Sequence, residues 1–171
     1  YMHMNNSPNL NNDIVASLAA LEPGKLPLEI FNQVARLSVT PVVEIAPFYR
    51  DESGKLKVFL LQRGENDVLW AGMYHVPGGI VLATDAPGSF SDALQRVLDS
   101  KLVSYQPTPP KLIDTQLCRV SRGTEVAIVF TVLLLTAPDE TLLFDPENLP
   151  SNMIEGQAEF IQAALEQFEK S

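Results

Sequence analysis

With 171 residues, 46% of them hydrophobic, the chain suffices for one domain with a substantial core and is too short for two. Twelve Lys and Arg against 21 Asp and Glu give a formal net charge of −9. That balance disfavours a nonspecific nucleic-acid or anionic-membrane surface, so an anionic ligand must be held by local groups.

The longest apolar run, Val126 to Leu135, is interrupted by Thr131 and falls far short of a membrane span. No charged-then-apolar signal is read at the start of the sequence. The single Cys118 leaves no internal disulfide and is expected to be a buried, inert thiol. These features predict a cytoplasmic, soluble protein with no membrane and no nucleic-acid partner.

Tyr1 to Asn6 carry two methionines and no periodicity and add nothing to the fold expectation. Asn12-Asp13 offers an N-cap for a short surface helix, in which Ile14, Val15, Leu18, Ala19 and Leu21 recur at helical spacing before Pro23-Gly24. A second helix is predicted from about Pro27 to Leu37, with Leu28, Phe31, Val34, Ala35 and Leu37 turned inward. Ser38 to Tyr49 and Lys55 to Gln62, joined across Asp51-Glu52-Ser53-Gly54, predict a β-hairpin.

Trp70 to Val76 leads into Pro77-Gly78-Gly79, where two glycines after a proline imply a backbone path closed to side chains. Ile80-Val81-Leu82 and a loop with Asp85, Pro87 and Gly88 follow. Ser89 or Ser91 then caps a helix running to about Val103. Gln106-Pro107-Thr108-Pro109-Pro110 is a stiff connector that cannot be helical.

Strands are predicted at Leu112 to Val120 and Glu125 to Thr136, with Ser121-Arg122-Gly123-Thr124 as a hairpin turn. The second is apolar on both faces and therefore central. After Asp145-Pro146-Glu147-Asn148-Leu149-Pro150, a last helix from about Ser151 to Glu169 presents Met153, Ile154, Phe160, Ile161, Ala164, Leu165 and Phe168 to the core. The expected class is α+β, a mixed sheet sandwiched between helices. A helical extension over residues 1–26 precedes a single domain over 27–171.

On a helical wheel, Phe90, Ala93, Leu94, Val97, Leu98 and Leu102 fall within an arc of about 180°. Lys101 lies inside that arc, while Arg96 and Asp99 point the other way. A lysine there either complements the helix dipole and snorkels over its stem, or borders a cleft with its ammonium aimed at a bound anion. The pattern leaves both open.

Several of these residues together resemble the Nudix hydrolases. They are the strand ending Leu60-Leu61-Gln62-Arg63, then Trp70, His75-Val76-Pro77-Gly78-Gly79-Ile80, a loop, and the helix with Ala93-Leu94-Gln95-Arg96. Asp145 to Pro150 before the final helix looks like that family's approach to its C-terminal helix. The resemblance covers Ser38 to Phe168 and implies a Nudix-type sheet and metal-dependent hydrolysis of a nucleoside diphosphate linked to another group. In the family's box, G-x5-E-x7-R-E-U-x-E-E-x-G-U, the glutamates lie three and four residues apart and offer clustered carboxylates to magnesium. The metal neutralises the pyrophosphate and activates water.

Carried over residue by residue, Arg96 matches the arginine and Leu98 the aliphatic position, and the glutamate positions hold Val97, Ser100 and Lys101. Val103 stands at the last glycine. The Gly79-to-Arg96 segment is three residues longer than the pattern, so the first glutamate position is Asp85 in one alignment and Gly88 in the other. Like charges at about 4 Å and an effective dielectric of 20 repel by about 4 kcal/mol, so a lysine there should expel magnesium. Asp99, about 160° from Lys101 around an ideal helix, and Asp92, about 180° away, do not replace the lost acids. Asp92 is expected in a first-turn or capping role.

Three functions from different classes stay open. The first is a binding or regulatory module for a nucleotide or phosphate ligand, its hydrolytic activity lost or strongly weakened and no cofactor needed at the box. Its binding residues would be Arg63, Gly78, Gly79, Arg96 and Lys101, with Lys101 replacing the metal's charge and Trp70 or Tyr74 stacking on a base. Arg96 as an ion pair orienting the helix, and Trp70 or Tyr74 as a loop plug, are the plainer roles. The second is an active hydrolase taking Mg or Mn on carboxylates outside the box, with Glu44, Glu125 and Glu155 as candidates. His75 is there a conceivable base, against a structural, hydrogen-bonded role. The third is protein association alone, such as a homodimer through the first helix and the Val126 to Leu135 strand.

Overall fold

The computed structural model describes residues 8–169, so the aperiodic residues 1–6 lie outside the described residues. The sheet is built on β1 (Val39–Arg50), whose alternation places Val43 and Ile45 on one face and Val42, Ala46 and Phe48 on the other, all of them buried. β1 runs parallel to β7 (Gly123–Leu134) from Val39 opposite Thr124 to Tyr49 opposite Leu134. β6 (Lys111–Val120) closes the hairpin on the far side of β7.

The other edge of β1 is divided. β5 (Gly78–Ile80) pairs antiparallel with Val42 to Glu44, and β2 (Leu56–Phe59) with Phe48 to Arg50. Between them the Ile45 amide donates to the Pro77 carbonyl at 2.8 Å, which keeps the gap in the ladder satisfied. β3 (Leu61–Gln62) pairs with β4 (Tyr74–His75) in a separate small sheet, and β8 (Leu143–Phe144) extends the main sheet beyond β2. Helix α3 (Ser91–Val97) packs Ala93 and Val97 on one face, and helix α4 (Gln157–Glu169) packs Phe160, Ile161 and Ala164 on the other. The expected mixed sheet between helices is thereby observed.

Several expected boundaries move. Helix α1 (Pro8–Ala19) begins before Asn12-Asp13, with Pro8 first in the helix, where its missing N–H leaves no gap. Helix α2 (Leu28–Leu37) buries Ala35 and half-buries Phe31, while Leu28, Val34 and Leu37 are exposed, because α2 rests on the β7 hairpin end and not on a full layer. The Lys55-to-Gln62 strand is broken at the buried Leu60, whose amide donates to Leu142 O at 2.9 Å. β7 is central, as its two apolar faces predict. It is paired on both edges, by β6 and β1; of the two apolar surfaces expected to support a homodimer, α1 exposes Ile14, Val15 and Leu18, and the Val126 to Leu135 run exposes Leu135 at its end.

The expected long helix to Val103 ends as α-helix at Val97. It continues as a π turn over Leu98–Leu102 and a 3-10 turn over Val103–Tyr105. The last helix begins at Gln157, not Ser151. Met153 and Ile154 instead lie extended beside Tyr74, with Tyr74 N donating to Asn152 O and Ile154 N to Tyr74 O at 2.9 and 3.0 Å.

Gly123 anchors the hairpin to α2, since a Cβ there would collide with the Ala35 carbonyl and its φ is +152°. Gly123→Ala is expected to destabilise the fold by about 2 kcal/mol or more, read as a lower urea midpoint at unchanged slope.

Candidate functional site

Of the three box positions, Val97 is core. It is 3% exposed and packs with Val43, Ile45 and Ala93, and its Cγ2 would lie 3.0 Å from a Cβ on Gly79. Ser100 turns its hydroxyl back along the helix, donating to Arg96 O at 2.6 Å. Lys101 is exposed, not inside the apolar arc drawn on an ideal wheel. The π turn displaces the last turn from that wheel and leaves Leu102 to fill the core.

Arg96 is held by its own loop. Its guanidinium donates to both carboxylate oxygens of Asp85, Oδ2 at 3.0 Å, and to Ile80 O at 3.0 Å. Asp85 also accepts from Leu82 N at 2.8 Å, and the Arg96 hydrogen bond holds its carboxyl below the usual range. Asp92 accepts from Ala86 N at 2.9 Å, and Asp99 from Gln95 Nε2 at 2.7 Å. These acids fold the loop and helix. A hydrocarbon, a hydroxyl committed to a helix carbonyl and an ammonium do not fit a hard cation. Among the described residues no group of three or more His, Cys, Asp or Glu is arranged to hold a metal ion.

On the opposite, α4 face, Glu44, Glu125 and Glu155 do come together. They line one cavity of about 30 Å³ with Arg63, Trp70 and Arg122, room for a water or two and not for a nucleotide. Glu44 and Glu125 are buried, whereas Glu155 is exposed at the start of the segment leading to α4. Glu44 lies across Gly78, where any Cβ would strike its carboxyl, and its Oε2 has no hydrogen-bond partner. Burial above all, and then Glu125, push the Glu44 carboxyl up to about 8, against the opposing pull of Arg122 and Arg63. It is therefore mostly protonated at neutral pH.

Arg122 is the residue that sequence reasoning passed over as part of a turn. Its Nε donates to Glu125 Oε1 at 2.5 Å, and its guanidinium lies 5.1 Å from the Trp70 ring centre and 5.4 Å from that of Phe31. Arg63 lies 5.7 Å from the same indole and pairs with Asp67 at 3.6 Å, with its buried Nε unpartnered. Trp70 is therefore packed beneath two cations, its amide held by Asp67 Oδ1 at 2.9 Å. Tyr74 packs edge-on to Phe144 at 4.9 Å. Gln157, also missed, accepts from Val76 N at 2.8 Å and fixes the start of α4 to the glycine turn.

His75 stands between the two regions. Its Nδ1–H donates to Val76 O at 2.7 Å. Burial first, then Arg63, and more weakly Lys101, push its pKa down to about 4. Cys118 is half-buried beside the cavity, and burial raises its thiol pKa.

The two shifts act with opposite sign on stability. His75, lowered from 6.5 to about 4, favours folding increasingly as pH rises through that window, because the unfolded chain binds the extra proton. Glu44, raised from 4.5 to about 8, binds its proton in the folded state, so its contribution falls as pH rises from 4.5 to 8. Above pH 6.5 Glu44 acts without that opposition. Urea titrations between pH 6.5 and 8 are expected to show stability falling with pH in the wild type, and Glu44→Gln to flatten that slope.

No protein-family model matches the sequence, and a search of curated proteins finds no match. Solved structures do match. The NUDIX domain of Shewanella oneidensis NrtR complexed with ADP ribose aligns at TM-score 0.59 and 20% identity over 90% of this chain and 97% of that one. A mutT/nudix family protein from Listeria innocua aligns at 0.61 and 18% over 77% and 94%. NrtR of Shewanella oneidensis has also been solved with a 27mer DNA, and against that structure the TM-score is 0.58 and the identity 20%, over 75% of this chain and 62% of that one. The expectation that nucleic acid is not a partner thus draws no support from this relative. With its mixed sheet between helices and these alignments, the chain has the Nudix fold.

Proposed function

We propose that the chain is a cytoplasmic module that binds a nucleotide or other phosphate-bearing ligand, its metal-dependent pyrophosphohydrolase activity lost or strongly weakened. The observation that carries this reading is the box helix itself, with Val97 buried against Gly79, the Ser100 hydroxyl spent on Arg96 O, and Lys101 exposed. An ammonium at the last acid position supplies locally the positive charge that an overall charge of −9 denies to an anion. The fold's likeness to a domain solved with ADP ribose supports a ligand with a diphosphate. Arg96, committed to Asp85, then orients the loop beneath the ligand, and Arg63 would have to leave its pairing with Asp67 and Trp70 to reach it. The exposed apolar side chains of α1 are the surface on which a homodimer would form.

A second reading has one observation in its favour, the convergence of Glu44, Glu125 and Glu155 on a single cavity. In it the chain is a hydrolase whose Mg or Mn ligands lie outside the box. Both readings meet in one experiment. Dinucleotides, nucleotide sugars and nucleoside triphosphates are incubated with Mg or Mn, and nucleoside monophosphate release is measured alongside ligand-induced thermal stabilisation in a chelator. The proposal expects no release above blank, and stabilisation by ADP-ribose that survives chelation and falls about tenfold in affinity in Lys101→Ala. Metal-dependent turnover abolished by Glu44→Gln, Glu125→Gln or Glu155→Gln would overturn it.

A further inference from the structure

The β6–β7 hairpin and helix α2 enclose a separate cleft of about 450 Å³, within the range of roughly 300–1,000 Å³ typical of small-molecule sites. Asn32 and Arg36 reach it from α2, Arg119 from β6, and Ser121, Arg122 and Thr124 from the turn. Three of the chain's six arginines converge here, and no carboxylate is among the lining residues. The other three are engaged elsewhere, Arg50 with the Gly54 carbonyl, Arg63 with Asp67 and Arg96 with Asp85. Arg122 gives its Nε to Glu125, and Arg36 its Nε to Gln33 at 3.1 Å. Among the described residues neither Arg36 nor Arg119 belongs to an ion pair.

We propose that this cleft is an anion site for a small phosphate monoester that also carries hydroxyl groups, such as a sugar phosphate. Guanidinium forks match phosphate oxygens in pairs, which a diffuse basic surface does not. In a chain of net charge −9, a cleft with no lining acid and two arginines, Arg36 and Arg119, outside any ion pair among the described residues is a local excess of positive charge, the third, Arg122, being paired with Glu125. The second observation is that Ser121 and Thr124 line the same cleft, and their hydroxyls both donate and accept hydrogen bonds. Hydroxyl side chains beside guanidiniums suit a ligand that brings hydroxyl groups along with its anion. The cleft lies at the α2 and hairpin end of the sheet, and its residues are not those of the box, so this inference stands apart from the reading of Lys101.

The test is amide chemical-shift mapping of the whole protein titrated with ribose 5-phosphate, and with inorganic phosphate for comparison. The expected result is saturable shifts centred on Asn32 to Arg36 and Arg119 to Thr124, with ribose 5-phosphate binding more tightly than inorganic phosphate. In R36A/R119A, both at exposed positions, affinity should fall by about tenfold or more, as the loss of charged hydrogen bonds implies. R50A/K111A removes the same net charge away from the cleft and should bind as the wild type does. Shifts confined to the Gly78-to-Lys101 region, no saturable shifts, or equal weakening in R50A/K111A would each overturn the proposal, and the first would leave the Lys101 reading intact.

Discussion

Everything near the candidate sites depends on how closely β5 is pressed between the two faces of the sheet. Gly78 lies under the Glu44 carboxyl on the α4 face, and Gly79 lies against Val97 on the α3 face. A side chain at Gly78 would expel a buried acid, and one at Gly79 would push the box helix outward. The β1 edge is divided between β5 and β2, so β5 has only Val42 to Glu44 to hold it in register. Arg96 secures its far end by clamping the Ile80 carbonyl and Asp85. The glycines, the arginine and the valine form one mechanical unit, and the charged residues around it sort themselves according to the face they occupy.

That sorting separates two chemistries. On the helix face Val97 is packed in the core, the Ser100 hydroxyl is bonded to a helix carbonyl and Lys101 presents an ammonium, a set that does not fit a hard cation. On the α4 face three carboxyls, two guanidiniums and an indole share a cavity large enough for water alone. Glu44 tolerates burial because burial raises its carboxyl to about 8, which keeps it mostly protonated at neutral pH, and Glu125 because Arg122 is hydrogen-bonded to it. Buried polar groups of this kind cost stability unless they are satisfied, and the unpartnered Glu44 Oε2 and Arg63 Nε mark where the arrangement is least complete.

The mixed sheet between helices, its hairpins and its central strand were legible in the sequence because strand alternation, the Asp51 turn and the apolar β7 are local signals, whereas the parallel pairing of β1 with β7 was not. Val97, Ser100 and Lys101 were legible as residues at fixed spacing from Arg96, since that is a matter of identity alone. The π turn was not, because its register follows from Leu102 seeking the core while Lys101 stays wet, a tertiary choice that an ideal wheel cannot represent. Met153 and Ile154 continue a helical period by chance and are claimed by Tyr74 instead. Glu44, Glu125 and Glu155 could be named one by one, but their meeting required the fold. Arg122 gave only a faint signal, an arginine in a turn with a glutamate three residues on.

The central claim is that the box helix has become part of the core and offers no site to a divalent cation. The most direct measurement is titration of the protein with Mn²⁺ while paramagnetic broadening of the amide signals is followed residue by residue. The account predicts no saturable broadening centred on Gly79 and Arg96 to Lys101 at metal concentrations that serve enzymes of this fold. Saturable broadening of those amides, reversed by excess Mg²⁺, would contradict it.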